Sequence, residues 1–160
     1  MVKFEARTDD PPPCAIVTTE RLLTAVVKIQ APMNKLPEAQ RSARATIDPA
    51  LPSLDVGQLG RTCTLWRPPV EGSLYMEPGT MVSQVFEPAG GVVPSALPEG
   101  RTVHFLLKGP FDGLPGAWKT LFDWCAVENL KLAGLNWEIY SDWAGVDPAG
   151  HETDLYALLA

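Results

Sequence analysis

LPGAWKTLFDWCAVENLKL, residues 114–132, sets Trp118, Leu121, Phe122, Cys125 and Leu132 along one stripe at helical spacing and predicts the longest helix of the chain. Gly134 follows as its terminator. Upstream, Thr102 to Leu107 has strand character and runs into the turn sequence Lys108-Gly109-Pro110-Phe111-Asp112-Gly113. Downstream, Trp137 to Trp143 and Thr153 to Leu159 are strands separated by a turn at residues 145–150. The order is strand, helix, strand, strand.

The same order is expected earlier in the chain. Ala15 to Ile29 is rich in Val, Ile, Leu and Thr and reads as one long strand bulged near Glu20-Arg21. Asn34 is the expected N-cap of a helix from Leu36, with Leu36, Gln40, Ala43 and Ile47 near one face and an interruption at Asp48-Pro49. Thr62 to Trp66 forms a strand stopped by Pro68-Pro69, and Gly79 to Phe86 forms the next. Pro88 to Gly100 has no periodicity and reads as a connector. The fold class is therefore α+β, with two strand-helix-strand-strand units in a pseudo-twofold arrangement around a central groove, although no residue-level identity marks the repeat. The expected organisation is a mobile leader at 1–13, then one domain at 14–160: a first unit at 14–87, the connector at 88–100 and a second unit at 101–160.

Composition narrows the function classes. A chain of 160 residues, 46% apolar and 20% charged, has room for one substantial core and is not of disordered type. Its 16 prolines break long helices. A net charge of −6 opposes direct contact with nucleic acid. Three dispersed cysteines, Cys14, Cys63 and Cys125, indicate neither a disulfide framework nor a zinc site. No apolar run approaches the roughly 20 residues that cross a bilayer, so a cytoplasmic protein without membrane contact is expected. No nucleotide, zinc or serine-nucleophile motif is present, and neither cofactor nor metal is expected.

In Trp137-Glu138-Ile139-Tyr140, strand geometry puts Glu138 and Tyr140 on one face and Trp137 and Ile139 on the other. By pattern alone, the acid and the phenol face either water or a pocket. Trp118, Phe122 and Cys125 read as core. His104 and His151 receive no role, and Trp66 and Tyr156 suit either packing or ligand contact.

Gly109-Pro110-Phe111, then Leu114, Trp118, Leu121 and Trp124, then Gly134, Trp137-Glu138-Ile139-Tyr140 and Thr153-Asp154-Leu155-Tyr156, resemble in spacing the C-terminal half of GyrI-like domains. Such domains also serve as effector modules of multidrug-sensing transcription regulators. The resemblance implies a groove into which Glu138 points, with Tyr140, Trp66, Tyr156 and Phe111 as further ligand contacts. Phe111 stands where the family often carries tyrosine and offers a ring without a hydroxyl. The resemblance implies a stand-alone protein that binds lipophilic small molecules, cations among them, for xenobiotic sensing or sequestration. Two alternatives share that implication: a hydrolase of strained-ring or electrophilic compounds using Glu138 as acid or base, and a protein inhibitor of DNA gyrase. A gyrase or regulator partner is compatible with the resemblance, and the oligomeric state is left open.

Overall fold

The computed structural model describes residues 13–141 and 147–160. Most of the anticipated leader lies outside them, as do Asp142 and Trp143 of the anticipated strand. Within these residues, nine strands and two α-helices form a mixed α+β fold. The strands are β1 (Ala15–Thr19), β2 (Leu22–Val26), β3 (Ile29–Pro32), β4 (Leu59–Val70), β5 (Ser73–Val82), β6 (Val93–Leu97), β7 (Gly100–Lys108), β8 (Leu132–Tyr140) and β9 (Glu152–Leu159). Helix α1 is Leu36–Ala50 and α2 is Leu114–Val127. The antiparallel sheet runs β1-β7-β9-β8-β4-β5-β2-β6, with β3 also on β5.

At its centre β8 pairs with β4, and from that seam each half repeats one motif: β7-β9-β8 with α2, and β2-β5-β4 with α1. A repeat that the chain hardly displays becomes visible at the helix entries. Pro32-Met33-Asn34-Lys35-Leu36-Pro37 and Pro110-Phe111-Asp112-Gly113-Leu114-Pro115 each pass through a 3-10 turn into a helix with proline in its first turn. The entry prolines adopt φ/ψ of −69/157° and −71/165°. Buried Ala43 and Ile47 of α1 correspond to Leu121 and Cys125 of α2.

The sheet curls strongly. Leu22 from one end, and Tyr156 and Leu158 from toward the other, pack on one buried cluster of Cys63, Leu65, Leu97, Trp137 and Ile139. Only Glu20 and Arg21 separate β1 from β2, so the two ends of the sheet approach to within about 11 Å. The anticipated long strand is thus split at the expected residues, and its halves pair at opposite ends of the sheet. The helices cover the outer face: α1 seals Ala25, Val56, Val82 and Phe86, and α2 seals Val103, Leu155 and Ala157. Gly79 lets β2 and β5 approach closely, since a Cβ there would stand 2.3 Å from the Ala25 carbonyl oxygen.

Several local expectations are corrected. Lys35, not Asn34, is the N-cap of α1, and no side chain caps it. Pro49 lies inside the last turn of α1, where it has no N–H to give the Ala45 carbonyl, and the helix ends one residue later at Ala50. Strand β4 continues through Pro68-Pro69 because its pairing with β5 is interrupted between Arg67 and Val70, where no N–H is required. Glu71 and Gly72, at φ of 52° and 80°, then make a tight hairpin that starts β5 six residues before the expected strand. The connector contains β6, which pairs with β2. Helix α2 stops at Val127, with Asn129 at φ 60°, and Gly134 lies not at a helix end but in β8 at a register shift.

Candidate functional site

Between the two helices, on the outer face of the sheet, lies a cavity of about 970 Å³. One wall is a single face of α1 with Leu36, Pro37, Gln40, Arg41 and Arg44; the opposite wall is α2 with Leu114, Pro115, Trp118 and Phe122. The floor is the β4–β8 seam, with Thr62, Thr64, Trp66, Asn136, Glu138 and Tyr140.

Glu138 is 4% exposed and is the only acidic residue of this lining among the described residues. The Trp118 indole donates to Oε2 at 2.7 Å, and the Tyr140 hydroxyl donates to Oε1 at 2.6 Å. Tyr140 OH also lies 2.9 Å from Thr64 Oγ1, and Gln40 Nε2 donates to that same Oγ1 at 3.3 Å. A phenol has one proton. Since it goes to Glu138, Thr64 donates to Tyr140, and the bonds form a directed chain from Gln40 through Thr64 and Tyr140 to the carboxylate. Thr64 faces Glu138 across the seam, so Gln40–Thr64 and Trp118–Glu138 are equivalent helix-to-sheet contacts of the two units.

Burial pushes the Glu138 pKa above 4.5, while the donors Tyr140, Trp118 and Trp66 pull it back. Trp66 is near enough to act on the charge, yet its buried Nε1 has no hydrogen-bond partner among the described residues; nor does Asn136 Oδ1 beside it. Burial, then the Glu138 charge, hold Tyr140 well above its ordinary pKa of 10, so the phenol keeps its proton. Aromatic faces complete the cavity: Phe111 meets Tyr140 edge-on at 5.6 Å, and Phe122 stacks on Trp118 at 5.4 Å.

Of the five anticipated contacts, Glu138, Tyr140, Trp66 and Phe111 surround this cavity. Tyr156 does not. It opposes Trp137 in the β8–β9 register, stacks on it at 5.4 Å and faces the inside of the curl, beside a smaller cleft of about 410 Å³. His104 lines that cleft too and contacts Asp154 at 2.6 Å, while Arg61 bonds the other Asp154 oxygen at 2.8 Å. Both contacts hold the Asp154 pKa low.

The expectation that Trp118 and Phe122 are core holds only in part: Trp118 packs on the α2 core cluster and also lines the cavity, whereas Phe122 lines the cavity without joining that cluster. Helix α2 carries two apolar stripes, Ala117-Leu121-Cys125 into the core and Leu114-Trp118-Phe122 onto the cavity. The signal was the width of the apolar face: at about 100° per residue the two stripes together span roughly 140°, about 60° more than the buried stripe alone.

Solved structures share the fold. The C-terminal domain of EcmrR is 18% identical with a TM-score of 0.68, covering 92% of this chain and 96% of that one. SAV2435 bound to tetraphenylphosphonium is 10% identical with a TM-score of 0.68, covering 92% and 93%. A hydrolase from Listeria innocua is 15% identical with a TM-score of 0.59, covering 98% and 96%. Among curated protein sequences none matches. No helix among the described residues is long and apolar enough to cross a membrane. The family model for GyrI-like small molecule binding domains matches residues 64–159, from the strand that carries Thr64 and Trp66 through the one that carries Glu138 to the end of β9, and the chain belongs to that family.

Proposed function

We propose that the protein binds lipophilic cations in the cavity between its helices, as a sensor or sequestering agent for xenobiotics, with Glu138 as the charge partner and Trp66, Phe111, Trp118 and Tyr140 as ring contacts. One observation carries this reading: a nearly fully buried carboxylate, bonded only to neutral donors, at the floor of a cavity large enough for a drug-sized molecule. Such a carboxylate is costly to keep charged without a cation, and ring faces add about 0.5–2 kcal/mol per cation–π contact. The tetraphenylphosphonium complex of SAV2435, which shares the fold, supports the same chemistry.

A thermal-shift comparison of tetraphenylphosphonium with neutral triphenylphosphine oxide tests this. At a hundredfold excess over Kd, linkage gives about 2.7 kcal/mol of stabilisation, or roughly 5–10 °C at this chain length. The neutral compound should give less than a third of that. Equal shifts would remove charge selectivity from the site.

The raised pKa has a definite sign. On acidification, cation affinity should fall once pH drops through the raised Glu138 value, above 4.5. Stability of the empty protein follows the opposite trend. Between 4.5 and that raised value the unfolded glutamate ionises first, so the folded state loses stability as pH rises. Urea titrations across this window should show that slope, and Glu138→Gln should abolish it; a slope retained in the variant must come from another group.

A second reading rests on the 2.6 Å phenol–carboxylate pair of Tyr140 and Glu138. With a raised pKa, Glu138 is suited to exchange protons with a bound electrophile, which would make the protein a hydrolase. Product formation separates the two readings.

A further inference from the structure

Among the described residues, the charged side chains of the cavity lining are Glu138 on the floor and Arg41 and Arg44 on α1. This is an odd endowment for a site that takes simple cations, because two guanidinium groups face one carboxylate and oppose both the approach and the residence of a positive ligand. Arg44 is committed to the fold: it donates to the Gly79 carbonyl and Thr80 Oγ1, each at 2.8 Å, and pairs with Asp48 at 2.5 Å. Arg41 has no hydrogen bond or ion pair among the described residues, although it lies on the same helical face as Leu36, Pro37 and Gln40. The other unit does not repeat this wall. Lys119 occupies the place in α2 that Arg41 occupies in α1, but it pairs with Asp123 at 2.6 Å and lies outside the cavity lining, and Phe122 stands where Arg44 does. The cavity is therefore electrostatically two-sided, negative at Glu138 beneath α2 and positive along α1. Gln40 touches Thr64, which opposes Glu138, and Arg41 is its neighbour, so the charges lie on the order of 10 Å apart.

We propose that the ligand class of this cavity is amphoteric: a flat lipophilic cation that also bears a carboxylate or other anionic group, with the cation on Glu138 and the anion at Arg41. This rests on the reading of Glu138 as the cation partner and adds that α1 selects among cations. Arg41 is exposed, so its substitution should leave the fold intact, which circular dichroism and melting temperature check.

Rhodamine B, a zwitterion at neutral pH, and its methyl ester, a plain cation of greater lipophilicity, differ only at the anionic group. Fluorescence-polarisation titration at low salt should show the free acid binding about threefold or more tightly in the native protein, the worth of a half-exposed ion pair. Arg41→Gln should erase the difference, with the ester binding slightly more tightly as a repelling charge leaves. Arg41→Glu should reverse the order. Glu138→Gln should weaken both dyes. If the ester binds the native protein as well as the acid does, or if the preference survives in folded Arg41→Gln, the selection by Arg41 is wrong while the cation site stands. If Glu138→Gln leaves both dyes unaffected, the cation site itself fails and this proposal with it.

Discussion

Replacing Glu138 with glutamine is expected to weaken tetraphenylphosphonium binding at least about tenfold, since a buried hydrogen-bonded charge partner is commonly worth 1.4 kcal/mol or more. Stability should hold or rise. The amide keeps the length of the side chain and still accepts from Trp118, while its new N–H₂ can donate to Tyr140, whose own proton can turn to Thr64 at 2.9 Å. What disappears is a charge that burial penalises. Calorimetric titration alongside urea unfolding reads both quantities. For a hydrolase the same variant leaves affinity for a neutral substrate nearly untouched but lowers turnover on the order of 10²–10⁴-fold, as the loss of a general acid or base does. Unchanged binding, turnover and stability together would show that Glu138 contributes nothing to the cavity.

One position earlier on the same strand, the expected outcome is the reverse. Trp137→Ala should cost about 3–5 kcal/mol of stability. Trp137 is 1% exposed, stacks on Tyr156 and belongs to the cluster that fills the curl. Its removal leaves a void bounded by paired strands, which cannot collapse easily. Cation affinity of the fraction that remains folded should change little, because the side chain points away from the cavity. A denaturation midpoint shift equivalent to less than about 1 kcal/mol would mean that the inside of the curl is loosely packed.

This pair of adjacent residues also shows what could be read from the chain. Alternation along Trp137-Glu138-Ile139-Tyr140 separated the two faces correctly, but a strand pattern does not say whether its polar face meets water or a cavity. Here both faces are covered, one by the curl of the sheet and one by the helices, and only the burial of Glu138 shows it. The placement of Tyr156 is not legible in the chain, because its face depends on the β9 register against β8, which is a long-range fact. In sequence Trp118 and Phe122 are indistinguishable from core residues, because an apolar cavity wall and a core face have the same composition. The strand-helix-strand-strand order was legible from propensity. Strand β6 was not, because its Val-Pro-Ser-Ala-Leu sequence is held by pairing with β2 rather than by its own preferences. The two Pro-x-x-x-Leu-Pro entries were present in the chain as the mark of the repeat, but their equivalence emerges only when both helices are seen to begin in the same way.

The two-residue link between β1 and β2 bears on how the molecule is made. Among the described residues strand β1 pairs only with β7, and Val17 accepts its partner from 85 residues further along the chain. At a synthesis rate of about 5–20 residues per second, that partner emerges about 4–17 s after β1 does. Until then β2, β3, α1, β4 and β5 have each other, whereas Ala15-Ile16-Val17-Thr18-Thr19, uncharged and prone to extended structure, has none. Glu20 and Arg21, the residues that bridge the two ends of the finished sheet, are thus also the charges that flank this waiting strand, the position where charged residues oppose edge-to-edge pairing of extended segments.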